Sequence, residues 1–148
     1  MTNDLVVIKK IETEDTNHSF ISKHIPHLSP FLVAALAVEF SLYDVIGKKA
    51  SVTNLIDCRW SYYELINGGF FLVPEIESKN ERECFLLGIK GTLQVLEELY
   101  SFLDKTQNKS YCYQATLQII DILHNKIEAL KQYIADEGLD NQLVMFDK

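Results

Sequence analysis

The chain predicts a small α+β domain: a short antiparallel sheet containing an aromatic hairpin, packed against three main helices. Three observations lead there. Apolar residues recur at helical spacing over two long stretches of the C-terminal half. Asn67-Gly68 separates an aromatic run from an aliphatic one, the strongest short-range hairpin signal. The 148 residues, 47% of them hydrophobic, suit one packed domain spanning 1–148, with no internal repeat, linker or low-complexity segment.

Asp4 to Ile11 (DLVVIKKI) starts with a β-branched run and reads as an edge strand, where Lys9 and Lys10 discourage further pairing. Residues 12–28 carry no clear period and read as irregular structure with a turn of helix at most. Pro30 to Ile46 is the first predicted helix. Ser29 suits its N-cap, Pro30 its first position and Gly47 the left-handed C′ position. Its middle, FLVAALAVEF, is apolar around most of its circumference, which predicts a central helix. Glu39 is the exception there, either solvated at a rim or buried against a partner such as Arg59.

Cys58 to Ile66 (CRWSYYELI) reads as a strand rich in aromatic residues. Asn67-Gly68-Gly69 follows, then Phe70 to Val73 and Pro74. Asn and Gly both tolerate positive φ, so the pair predicts a tight hairpin turn. Pro74 belongs at a strand end or on an edge, because it cannot donate to a ladder.

Asn80 as N-cap with Glu83 three residues on opens the second helix, close to a capping box. Phe85, Leu86, Ile89, Leu93, Leu96 and Leu99 carry it to about Leu103. Gly88 and Gly91 inside it cost about 1 kcal/mol each relative to Ala, which predicts close approach by another element, the sheet face. After a polar link (DKTQNK), Ser110 caps a third helix from Tyr111 to about Glu137, stopped by Gly138. Leu117, Ile120, Leu123, Ile127, Leu130 and Ile134 line one face, with Lys126, Glu128, Lys131 and Gln132 opposite. That stripe is first a packing face and second a homodimer face, through helix 111–137. The last residues, with their LVMF run, either dock as a strand or fray.

Net charge is −7, from 21 acidic and 14 basic side chains. This balance argues against direct DNA binding, which needs clustered Lys and Arg. It equally argues against mimicry of DNA, whose charge density of about one per 1.7 Å lies far higher. The longest apolar stretch, Phe31 to Val38, is far short of the roughly 18 residues that span a bilayer, so no membrane association is expected. The start, Met1-Thr2-Asn3-Asp4, has neither basic region nor apolar core of a secretory signal. Cys58, Cys84 and Cys112 are an odd, widely spaced set with no CxxC pair, which reads as buried or idle thiols in a reducing cytoplasm and not as a disulfide frame or zinc site.

Motifs of catalysis are sparse. His18, His24 and His27 lack metal-ligand spacing, and no companion Cys stands near them. His124 lies three residues after Asp121, a pair that reads as a surface hydrogen bond. There is no GxSxG elbow, and the carboxylate pairs Glu75/Glu77 and Glu97/Glu98 read as solvated surface. The expectation is therefore a protein without catalytic residues, cofactor or metal; an enzyme would have to use Glu39 or a histidine. What stands out is the hairpin, whose Trp60, Tyr62, Tyr63, Phe70 and Phe71 point to both faces of a two-stranded unit. One face packs on the helices, and the other is either covered too or half exposed as a binding surface.

The segment Arg59 to Pro74 (RWSYYELINGGFFLVP) resembles the signature of plasmid antirestriction proteins of the ArdB/KlcA type: a Trp, an aromatic pair, Glu-Leu, Asn-Gly-Gly, aromatic and aliphatic positions, and Pro. Phe20 to His24 is similar to a basic-His stretch before that family's first helix. Ala37-Val38-Glu39 with Tyr43 and Asp44 is similar to the helix itself, and Leu86 to Leu103 stands in place of the next. The resemblance covers roughly Phe20 to Leu103. It departs at Asp57-Cys58-Arg59, where the family usually has glycine before the Trp, and the C-terminal helix and tail have no counterpart.

The resemblance implies a small α+β protein of a mobile genetic element. Its implied role is to relieve type I restriction of incoming DNA in the host cytoplasm, by binding a restriction-modification or other defence protein and not by DNA mimicry. No catalytic residue comes with it. The candidate binding residues are Trp60, Tyr62, Tyr63, Glu64, Asn67, Gly68 and Gly69. Gly68 and Gly69 can equally serve backbone geometry and Trp60 the core. The alternative is a homodimeric interaction module of a mobile element, acting on another defence system or partner.

Overall fold

The first strand of the hairpin is the centre of the sheet. In a computed structural model, which describes residues 8–11, 16–25, 34–52, 55, 58–106 and 113–144, β2 (Trp60–Leu65) pairs antiparallel with β3 (Phe70–Pro74). On its other side β2 pairs antiparallel with β1 (Ile8–Ile11), in the order β1-β2-β3. The predicted edge strand is thus in place over its last four residues, its first four lying outside the described ones. Pro74 ends β3 on the opposite edge, where its missing N–H breaks no ladder bond.

The turn differs from a two-residue one. The Gly68 N–H donates to the Leu65 carbonyl (3.0 Å) and the Leu65 N–H to the Gly69 carbonyl (2.9 Å). Gly68 takes positive φ (96°), whereas Asn67 does not. Ile66, Asn67 and Gly68 therefore form a three-residue loop with a glycine bulge, the next most common hairpin connection.

Residues Asn17–His24 form a helix, α1, where the sequence predicts irregular structure. Thr16 caps it through Oγ1, which accepts from the Ser19 N–H (3.2 Å). Phe20, Ile21 and Ile25 are fully buried along one face. So short a helix stands on packing and not on propensity.

The next helix, α2, spans Ala34–Ala50 and runs through Gly47, which is not its C′ residue. Ser51 takes that role, with φ 58°. The Val52 N–H reaches back to the Gly47 carbonyl (2.9 Å) and the Ser51 N–H to that of Lys48 (3.4 Å), a Schellman closure. Gly47 is needed because a Cβ there would lie 2.8 Å from the Val52 carbonyl oxygen. The proposed cap residues Ser29 and Pro30 lie outside the described residues. The helix is one-sided instead of buried all round: Val38, Leu42 and Ile46 are in the core, while Phe40 is 57% exposed.

Helix α3 (Glu81–Thr106) starts at Asn80, whose Oδ1 accepts from the Glu83 N–H (2.8 Å). Its glycines do mark close approaches. Gly88 faces the β3 backbone at Leu72 and Val73, and Gly91 faces Ile46 of α2 instead of the sheet. Thr92 Oγ1 accepts from the Leu72 N–H (3.3 Å). Helix α4 (Tyr113–Asp136) ends before Gly138, which has φ 64°. Its stripe faces the protein's own core: Leu123, Ile127, Leu130 and Ile134 are all buried. Beyond it the chain forms neither strand nor frayed end over the described residues. Asp140–Leu143 is a helical turn, α5, docked through Leu139 and Leu143.

Helices cover both faces of the hairpin. On one face Tyr62 and Phe70 meet Phe20 of α1, with ring centroids 4.8 and 5.9 Å away. On the other Tyr63 stacks on Phe71 (5.0 Å, 9°), and both meet Phe85 of α3 edge-on. Phe71 continues the stack to Tyr133 of α4 (5.8 Å).

Candidate functional site

Two polar clusters flank the hairpin, and the predicted binding residues divide between them except for Tyr63, which belongs to the aromatic stack with Phe71 and Phe85. Asn67, Gly68 and Gly69 join the hairpin tip to α4. The Asn67 side-chain amide donates to the Ala129 carbonyl (3.0 Å), and its Oδ1 accepts from the Gly69 N–H (3.1 Å). Gly69 is buried, and a Cβ there would sit 3.0 Å from that of Ala129. Asn67 and Gly68 remain exposed, beside Ile66 at 67% exposure.

Glu64 belongs to the same cluster. Its Oε2 lies 2.9 Å from His24 Nε2. On the far side of the ring, Lys126 Nζ lies 3.2 Å from His24 Nδ1 and donates to the Gly68 carbonyl (2.6 Å). An ammonium can only donate, so Nδ1 accepts and the proton of neutral imidazole sits on Nε2, pointing at Glu64. Phe70 stacks against the ring at 4.5 Å. Burial, then the Lys126 charge, push the His24 pKa down to about 4, against the pull of Glu64. Burial also lowers that of Lys126, while Glu64 opposes the shift. One contact set thus joins α1, β2, the turn and α4.

The second cluster surrounds Tyr62 and Trp60. The Tyr62 hydroxyl, buried, donates to Asn17 Oδ1 (3.0 Å), and the Asn17 amide donates to the Tyr43 hydroxyl (3.2 Å). Tyr43 in turn donates to Glu39 (2.6 Å). Burial and Glu39 push the Tyr43 phenol up to about 12. Glu39 is half-buried with Tyr43 as a partner, and Arg59 is exposed. Trp60 is half-buried, its indole N–H on the Leu55 carbonyl (3.2 Å) and its ring 5.7 Å from that of Tyr43.

Sequence reasoning missed His24 as a partner of the hairpin and placed Lys126 on a solvated face. The one local hint is Phe20 and His24 one turn apart, which puts both rings on the sheet. His18 and His27 fall outside the described side chains, and no group of His, Cys, Asp and Glu that could hold a metal occurs among the described residues. His124 is exposed, with its ring 6.2 Å from Tyr100. Cys84 is buried, Cys58 half-buried, and Cys112 lies outside the described residues. No helix among the described residues is long and apolar enough to cross a membrane.

No protein-family model matches the chain, and neither a curated protein nor a solved structure does.

Proposed function

We propose that the protein is a non-enzymatic antirestriction protein of a mobile genetic element, relieving type I restriction of incoming DNA by binding a host defence component in the cytoplasm. One observation carries this reading. The segment Arg59 to Pro74, which resembles the antirestriction signature, folds as one continuous hairpin, with its aromatic residues in or beside the core and its Asn67-Gly68 tip offered to solvent. A tip fixed to α4 by Asn67 and Lys126 is preorganised for contact, which lowers the entropy cost of binding. The net charge of −7 supports contact with a protein instead of DNA mimicry or DNA binding.

The test is phage plating efficiency on a host with an active type I system, with and without the protein expressed. Higher plating of unmodified phage is the expected result. Unchanged restriction, with soluble expression verified, refutes the proposal.

A further inference from the structure

A small cleft of about 290 Å³ opens between the hairpin tip and α4, lined by His24, Asn67, Gly68, Ile122, Asn125 and Lys126. Its polar groups are unevenly matched. Two acceptors on its wall, the Gly68 carbonyl and His24 Nδ1, are engaged by Lys126. Those two bonds use two of the three N–H donors of an ammonium. Asn67 places one of its two amide N–H groups on Ala129 and its oxygen on Gly69. Asn125 is exposed beside them. The cleft is therefore rich in spare donors around one cation, and Glu64 is not on its wall but behind the imidazole.

We infer that this cleft is a binding site for a single carboxylate group, held by Lys126, Asn67 and Asn125. Charge-assisted hydrogen bonds from an ammonium and amides to a carboxylate are the strong kind. The volume admits one small acid or one acidic side chain. Lys126, donating to His24 Nδ1 and to the Gly68 carbonyl, keeps the ring in its neutral form and holds its own ammonium fixed at the cleft. The site stands independently of the antirestriction reading.

The test is a titration of isotope-labelled full-length protein with sodium acetate at constant ionic strength, read by NMR, with chloride as control. Saturable shifts are expected at the Asn67 and Asn125 side-chain amides. Asn125→Asp, at an exposed position, sets a repelling carboxylate at the mouth and should weaken binding about tenfold, as losing one charge-assisted hydrogen bond would. Lys126→Met should abolish it. A blocked glutamate amide forms the second arm: binding of this probe assigns the site to a protein side chain, and binding of acetate alone assigns it to a free acid. Shifts linear in concentration, shared with chloride, or undiminished in Asn125→Asp overturn the site.

Discussion

The imidazole of His24 lies on the ring of Phe70, centroids 4.5 Å apart and 18° from parallel. An aromatic face on one side and hydrogen bonds at both nitrogens leave the imidazole side chain only 10% exposed, which suits the neutral form. In the unfolded chain the same histidine takes a proton at the ordinary 6.5. The unfolded state thus binds the proton first as pH falls. Stability should be full above 6.5, decline as pH drops toward about 4, and gain no further loss from this group below it. Urea midpoints across that range check this, with His24→Gln as reference. The difference between wild type and variant should shrink toward acid pH; a constant difference contradicts the assignment.

Gly88 and Gly91 look alike in sequence and should respond differently to alanine. On helix propensity alone each change would stabilise by about 1 kcal/mol. At Gly88 the new methyl meets backbone that cannot step aside: it overlaps the Leu72 carbonyl oxygen and lies 2.9 Å from Val73 Cα. Gly88→Ala should cost about 3 kcal/mol net, the upper part of the overpacking range. At Gly91 it meets Cγ1 and Cδ1 of Ile46, side-chain atoms that can give more than backbone, so the net cost should be smaller, about 2 kcal/mol. Thermal unfolding of the two variants orders them.

Ser51 holds a left-handed conformation that costs a non-glycine residue about 1 kcal/mol. Ser51→Gly should remove that strain without touching the Schellman bonds. A rise in Tm of about 3 °C is expected, and calorimetry decides it.

Asn67→Ala removes two hydrogen bonds, one to Ala129 and one from Gly69. The expected loss is about 2 kcal/mol, from two net bonds near 1 kcal/mol each. Because the first bond ties the tip to α4, amide exchange should quicken at Gly69 more than in the middle of β2. Uniform acceleration across the sheet would mean that the bonds are not local.

The sheet and the long helices are legible in the sequence because their signals are local. Asn80 and Glu83 lie within one turn, and Asn67-Gly68 sits between its own two strands. Even there the details moved. Asn67 does not use its tolerance for positive φ, because Gly68 alone supplies the bulge. Gly47 looks like a helix end by type, yet packing carries α2 one more turn, and a serine takes the strained position. Helix α1 is hidden because a histidine occupies an inward position among Phe20, Ile21 and Ile25, blurring the apolar period. The cluster at the hairpin tip was out of reach for a plainer reason. His24 stands 40 residues from Glu64 and 102 from Lys126, and no periodicity encodes contacts at such separations.

The seam between α3 and β3 also decides how this protein can meet other chains. A three-stranded sheet has two rims where a foreign strand could add. At β3 the Leu72 N–H is already taken by Thr92, its carbonyl lies under Gly88, and Pro74 has no N–H to offer. Intermolecular strand addition, whether by a partner peptide or by a misfolded copy, is thereby turned away from β3, while the strand at the other rim, β1, carries Lys9 and Lys10, charges that discourage pairing.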